Sequence, residues 1–276
     1  MTAELRIPVL CYHSQIVTGA DYADNGHMAL ASDLEMITDA GKRIVPLHWL
    51  GEWLDGQRDT NSLKDAVAIS FDDGLLSDYQ TVSHPEHGDL PGFLPLLEDF
   101  HNGPRGHQQP DLHATSFVIV SPQAQDDLDQ RCHGNIGWQG CAAWAAADSH
   151  PLLAVENHSW DHNHETCSEA PGNRQGNFLA IDSFRLCQQE VRRASEELTR
   201  VLGRRPRLFA YPYGEYSDYL SREYLPRYGA ELGLIAAFTT AGDYVRQSHN
   251  RWLLPRFVHG WHWRSPQVLA DLLSAA

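Results

Sequence analysis

Ala66-Val67-Ala68-Ile69-Ser70-Phe71-Asp72-Asp73-Gly74 is an apolar run that stops abruptly at two adjacent carboxylates and a glycine. A continuous Val/Ile/Ala run, without polar alternation, reads as a parallel-sheet strand covered on both faces. Active sites of α/β folds collect at the carboxyl ends of such strands. The run therefore predicts a buried strand that brings Asp72 and Asp73 to the rim of a sheet. There the two carboxylates can take different jobs: on a bound divalent cation one ligates while the other stays free to accept a proton, and the cation offsets their repulsion. Taken alone, the segment is also what an N-capping aspartate before a turn glycine looks like. The rest of the chain decides between the two.

A second apolar run, Leu152-Leu153-Ala154-Val155-Glu156-Asn157, ends in His158-Ser159-Trp160-Asp161-His162-Asn163-His164. His158 and His162 are four apart, so a helical turn would set both imidazoles on one face, as a metal site needs. Two neutral imidazoles and one carboxylate leave a position open for water, the arrangement of hydrolytic zinc centres. The expected ligands are Asp73, His158 and His162. His164 is a competitor at spacing two, which suits an extended segment. A third segment, Arg207-Leu208-Phe209-Ala210-Tyr211-Pro212-Tyr213-Gly214, runs from a strand into a Pro/Gly turn that can aim a backbone N–H and an aromatic wall at a reacting carbonyl.

With all three in view the chain resembles the polysaccharide deacetylase family, the NodB-like carbohydrate esterases. Its first motif, Phe-Asp-Asp-Gly, stands at Phe71 to Gly74. The second, His-Ser/Thr-x-x-His, stands at His158 to His162, and the third ends in Tyr-Pro-Tyr-Gly at Tyr211 to Gly214. Tyr12-His13 resembles the pair that opens many members. The resemblance runs from about residue 8 to 260. It implies a distorted (β/α)7 barrel and a metal-activated water attacking an acetamide carbonyl. Asp72 would then be the general base, with Asp73, His158 and His162 on the metal and the Tyr213 backbone N–H on the oxyanion. Zinc is the expected metal, with Co2+, Ni2+ or Mn2+ compatible.

Two departures stand out. Many members carry an arginine in the third motif that orients the base, and Ala210 occupies that place; Arg256, after another apolar run, is the expected substitute. The family's late histidine, which protonates the leaving amine, has no plain match. His259 is the first candidate because it follows a strand directly, with His262 and His13 as alternatives. Otherwise Phe257 to Trp263 reads as a barrel closure with buried tryptophans.

Composition bounds the remainder. The 276 residues carry 21 Lys and Arg against 36 Asp and Glu, a formal charge of −15, which argues against nucleic acid or an anionic membrane as partner. One domain spanning 1–276 is expected, as barrels of this size form one unit. Five cysteines lack paired metal spacing and read as free thiols of a reducing compartment, although Cys132 and Cys141 could bridge. No basic segment with an apolar core opens the chain, so the expectation is a cytoplasmic protein without a membrane span.

Several elements are expected between the motifs. Ala31–Gly41 reads as a helix capped by Ser32 and Gly41, and Phe178–Leu202 as a helix on the barrel's outside with Ile181, Phe184, Val191 and Leu198 along one side. Residues 75–113 read as an insertion, helical around Phe93–Phe100, that covers the metal mouth. Trp144 is expected to pack, and Trp138 either to pack or to stack on a sugar. The function expected is deacetylation of an N-acetylated sugar or saccharide. Its rivals are an amidohydrolase on a small non-sugar amide and a non-catalytic carbohydrate-binding protein on the same fold.

Overall fold

Each residue of the decisive run, Ala66–Phe71, is buried in a strand with parallel neighbours on both sides. The computed structural model describes residues 4–167 and 176–276, so Met1–Ala3, on which part of the leader reading rests, lie outside the described residues. Among the described residues ten strands are formed: β1 Val9–Tyr12, β2 Arg43–Ile44, β3 Ala66–Phe71, β4 Val82–His84, β5 Gly88–Leu90, β6 Ala114–Val118, β7 Leu153–Asn157, β8 Leu208–Ala210, β9 Ala236–Phe238 and β10 Phe257–Val258. The main sheet runs β10-β1-β3-β6-β7-β8-β9, all parallel, with β2 alongside β3. It curls until a bridge from Phe238 to Leu254 meets the segment leading into β10. This is the distorted α/β barrel expected from the motifs.

Strand alternation divides the side chains into two populations. Val9, Ala68, Phe117, Leu208, Ala210 and Phe238 point inward and pack with Leu50 and Trp53 of helix α2, His48–Leu54, which plugs the bottom. Leu10, Tyr12, Ile69, Phe71, Val118 and Phe257 point outward. They are covered by α1 Gly26–Asp39, α3 Phe93–Asn102 and, at the C-terminus, Pro266–Ser274. Residues α/β chemistry can use are those at the top of the inward column.

Three sequence expectations are corrected here. The first helix begins at Gly26, not Ala31, because the Asn25 side chain accepts hydrogen bonds from the His27 and Met28 N–H groups, leaving Ser32 in mid-helix. The long helix begins at Phe184: Ser183 is extended, and Phe178–Ala180 is a separate 3-10 turn. It runs through a π-helical turn at Gln188–Arg192 to Leu202, and Phe184 lies half exposed, off the apolar side. Residues 75–113 are not a lid, for α3 is the crossover helix from β3 to β6 and packs on α1, while β4 and β5 form a small hairpin. The cleft takes only Leu75 from this segment. The wall opposite comes from α4, Pro122–Arg131, capped by Ser121.

Candidate active site

Asp72 follows β3 directly and falls on its inward face, two residues above Ser70. It is 2 % exposed. Arg256, fully buried, donates from Nη1 to one carboxylate oxygen at 2.6 Å and from Nη2 to the other at 2.7 Å. Two further bonds, to Thr239 O at 3.2 Å and Ser70 Oγ at 3.1 Å, hold the guanidinium in place. Burial opposes the charged form of Asp72, but the Arg256 guanidinium and then His158 outweigh it, holding the carboxyl below the usual range. Arg256 thus reaches the carboxylate from the residue just before β10 although Ala210 stands in the third motif.

Asp73 leaves the strand with a φ of +80°, which turns its side chain away from its neighbour's environment. Gly74 is needed directly after it: its φ is +72°, and a Cβ there would lie 2.4 Å from Val118 Cγ1. Asp73 Oδ1 is 3.6 Å from His158 Nε2 and 3.8 Å from His162 Nε2. Burial raises the Asp73 carboxyl, but His162, His13 and His158 together bring it below its usual value. The two histidines meet through a loop rather than a helical turn, which corrects the sequence reading. Ser159 and His162 have φ of +74° and +64°, the Ser159 N–H donates to Asn157 Oδ1 at 2.8 Å, and the His162 N–H donates to Ser159 Oγ at 2.9 Å. His158 Nδ1 faces Ala210 O at 2.9 Å, which leaves Nε2 turned to the carboxylates.

A tetrahedral ion bound at 2.0–2.1 Å needs ligand atoms about 3.3 Å apart, so the two Asp73–histidine spacings fit a divalent cation after a contraction of a few tenths of an ångström. The donor atoms of Asp73, His158 and His162 all lie within 4.8 Å of one another. Burial, and then the neighbouring His158, push the His162 imidazole down to about 3, so its neutral, ligating form prevails. His164 is not in this cluster; it faces Tyr213, ring centroids 6.4 Å apart, and Thr166 Oγ1 at 2.9 Å. A second set, Cys11, His13 and Asp72, is as compact. It suits a cation poorly, because both Asp72 oxygens already bind Arg256 and burial keeps the Cys11 thiol protonated.

The histidine expected first as the acid is displaced by strand parity. Its N–H donates to Cys11 O at 2.9 Å, so His259 runs level with Tyr12 and shares the outward face. There its ring stacks on Tyr12 at 5.9 Å and is boxed by Tyr22 and Trp263 at 5.5 and 5.4 Å. It does not line the cleft; His13, one residue past Tyr12 and inward like Asp72, does. His13 Nδ1 is buried and has no hydrogen-bond partner. His262 is also outside the lining, its Nδ1 accepting from the Val258 N–H at 2.8 Å. Tyr213, at φ +59°, lines the cleft with its ring edge-on to His162, 4.4 Å between centroids.

Sequence reading missed two participants. Gln15 donates to Asp73 Oδ2 and lines the cleft. Asp78, fully buried, accepts from Ser14 Oγ at 2.6 Å and Ser116 Oγ at 2.9 Å, and burial pushes its carboxyl up to about 8. Gln15 sits in a turn and Asp78 in the 3-10 turn Leu76–Asp78, both beside motifs, where no periodicity marks an inward residue. Trp138 and Trp144 are both buried, which removes Trp138 as a sugar platform. All five cysteines are free thiols. No helix among the described residues is long and apolar enough to cross a membrane.

Comparison with known proteins establishes the class, then the family. Three solved structures superpose over almost the whole chain. Streptococcus pyogenes deacetylase PplD in complex with acetate is 17 % identical, covering 98 % of this chain and 99 % of that one, with a TM-score of 0.66. IcaB from Ammonifex degensii is 19 % identical, with 98 % and 97 % covered and a TM-score of 0.67. The de-N-acetylase from Aggregatibacter actinomycetemcomitans is 17 % identical, with 96 % and 99 % covered and a TM-score of 0.60. At such identities the likeness speaks for the barrel alone. The sequence profile described as polysaccharide deacetylase matches residues 59–232, well over half of the chain and all three motifs. The chain belongs to the polysaccharide deacetylase family, and with it to the hydrolases of carbon–nitrogen bonds other than peptide bonds. No curated protein sequence matches it.

Proposed function

We propose that the protein hydrolyses the acetamide of an N-acetylated sugar or saccharide, releasing acetate and the free amine. The observation that carries this reading is the unequal treatment of two adjacent carboxylates: Asp72 is locked to Arg256, whereas Asp73 faces His158 and His162 across one cleft. In this reading Asp73, His158 and His162 hold a divalent cation, zinc by default for such donors. When bound, it supplies Lewis acidity toward the acetyl carbonyl.

The chain's own groups do the rest. Asp72, kept ionised and pointed by Arg256, accepts the proton of the attacking water as the carbon–oxygen bond forms. The Tyr213 N–H receives the charge that develops on the carbonyl oxygen. His13, on the inward face beside Asp72, hands a proton to the nitrogen as the carbon–nitrogen bond breaks; this role passes to it from His259 because His259 stands outside the cleft. The cleft, about 320 Å³, falls within the range of small-molecule sites.

The test is acetate and amine release from N-acetylglucosamine oligomers, single sugars and small aryl amides, with zinc loaded or chelated away. Chelator-sensitive release from the sugars is expected. Release from small amides only, or from nothing in the loaded panel, contradicts the proposal.

A further inference from the structure

The aromatic segment after β10 does not simply close the barrel. Trp263 is buried, but Trp261 is 70 % exposed and stands on the lip of the cleft. Among the described residues six large apolar side chains are exposed, and two of them, Trp261 and Tyr213, line this one cleft from different loops. Such a pairing is unlike the scatter of single apolar residues normal on a surface.

The Trp261 ring is also held. It stacks on His262 with centroids 5.0 Å apart and planes at 24°. His262 is fixed in turn by the Val258 N–H, which donates to its Nδ1 at 2.8 Å. Beneath His262 lies Gly242, at φ +66°, where a Cβ would fall 2.4 Å from the imidazole. The Trp261 and His262 backbone N–H groups both donate to Val258 O, at 3.2 and 2.8 Å, which ties the turn down. Glycine, imidazole and indole therefore form a stack whose outer face is presented to the cleft mouth. A rigid indole offers large contact area at low entropic cost.

We infer that the Trp261–His262 stack is a subsite for a neutral pyranose ring, bound through its apolar C–H face next to the sugar whose acetamide is cleaved. The inference rests on the deacetylase reading for its position and on the stack for its chemistry. Neutrality follows from the surroundings: among the described residues no lysine or arginine lines the cleft to pair with an acidic sugar. With a formal charge of −15 on the chain, a uronate or phosphorylated sugar would be repelled.

The test uses Trp261→Ala and Trp261→Phe in the zinc-loaded protein. KM and kcat are measured on N,N′,N″-triacetylchitotriose and on an aryl acetamide that has no sugar. Binding of the trisaccharide and of a hexuronate trimer is titrated calorimetrically in an Asp72→Asn background, where the sugar stays whole. Trp261→Ala should raise KM and Kd for the trisaccharide about three- to tenfold, Trp261→Phe should restore most of the loss, and the aryl acetamide and kcat should be unmoved. The hexuronate should bind at least tenfold more weakly. Unchanged trisaccharide affinity in Trp261→Ala, no binding by the Trp261 parent, equal loss on both substrates, or equal hexuronate binding overturns the subsite. Lost affinity in Trp261→Ala without acetate release from the parent keeps the subsite and overturns the deacetylase reading alone.

Discussion

Asp72 and Asp73 are consecutive residues with opposite surroundings. Below, at the closed floor, Asp72 makes a two-pronged bond to a guanidinium with no exposed surface. Above, at the mouth, Asp73 faces the imidazoles of His158 and His162 and the Gln15 amide. The floor carries its own permanent cation, and the mouth has room for an exchangeable one. A change of backbone angle between the two residues, φ +80° at Asp73, makes this division possible. A pair of like carboxylates left without either cation would share a proton, one being raised at the other's expense.

Replacing the acid tests which histidine belongs with the floor. His13→Gln should lower kcat on a sugar amide by about 10²–10⁴ while the metal stays bound, the range for a general acid or base. His259→Gln should cost far less, because it stands on the other side of the strand. The reverse ranking would break the account of the inward face.

Weakening the floor's internal cation comes next. Arg256→Lys keeps the charge but not the planar fork. Turnover should fall about 10–100-fold, the scale of a lost orienting contact. The acid limb of kcat/KM should move to higher pH, since the Arg256 guanidinium is the leading influence that holds Asp72 below the carboxylate range against burial. An unmoved acid limb would detach Arg256 from the base.

The smallest effect concerns the wall behind both residues. Burial raises the Asp78 carboxyl to about 8, outweighing the hydrogen bonds from Ser14 and Ser116 that lower it. The folded state therefore holds a proton that the unfolded chain has released, so stability falls as pH rises from the usual carboxylate value to about 8 and is level above that. Asp78→Asn removes this fall. Its Tm should exceed that of the parent by at least about 2–4 °C at pH 8 and by less at pH 5, read by calorimetry. An equal offset at both pH values would exclude the protonated carboxyl.

The fold was legible where strands were continuous. Ala66–Phe71 and Leu153–Asn157 announce buried strands by composition, and the polar residues directly after them, Asp72, Asp73 and His158, arrive at one rim. Arg256 could be picked out because it follows an apolar run in a chain whose third motif lacks an arginine. What the chain does not spell out is facing. His259 and His13 both follow strands, and only the register of β10 against β1 tells which imidazole points inward. Loop geometry was equally hidden: the spacing of His158 and His162 suits a helix, yet side-chain bonds from Asn157 and Ser159 fold the same spacing into a turn with left-handed residues. Trp261 and Trp263, two apart, were read alike and lie on opposite sides of burial.

The central claim is that adjacent carboxylates serve different cations. Zinc content and turnover, measured side by side for Asp72→Asn and Asp73→Asn, test it most directly. The account predicts that Asp72→Asn keeps stoichiometric zinc and loses about 10²–10⁴ in turnover, whereas Asp73→Asn loses both metal and activity. Full zinc in Asp73→Asn, or its loss in a folded Asp72→Asn, would contradict the division.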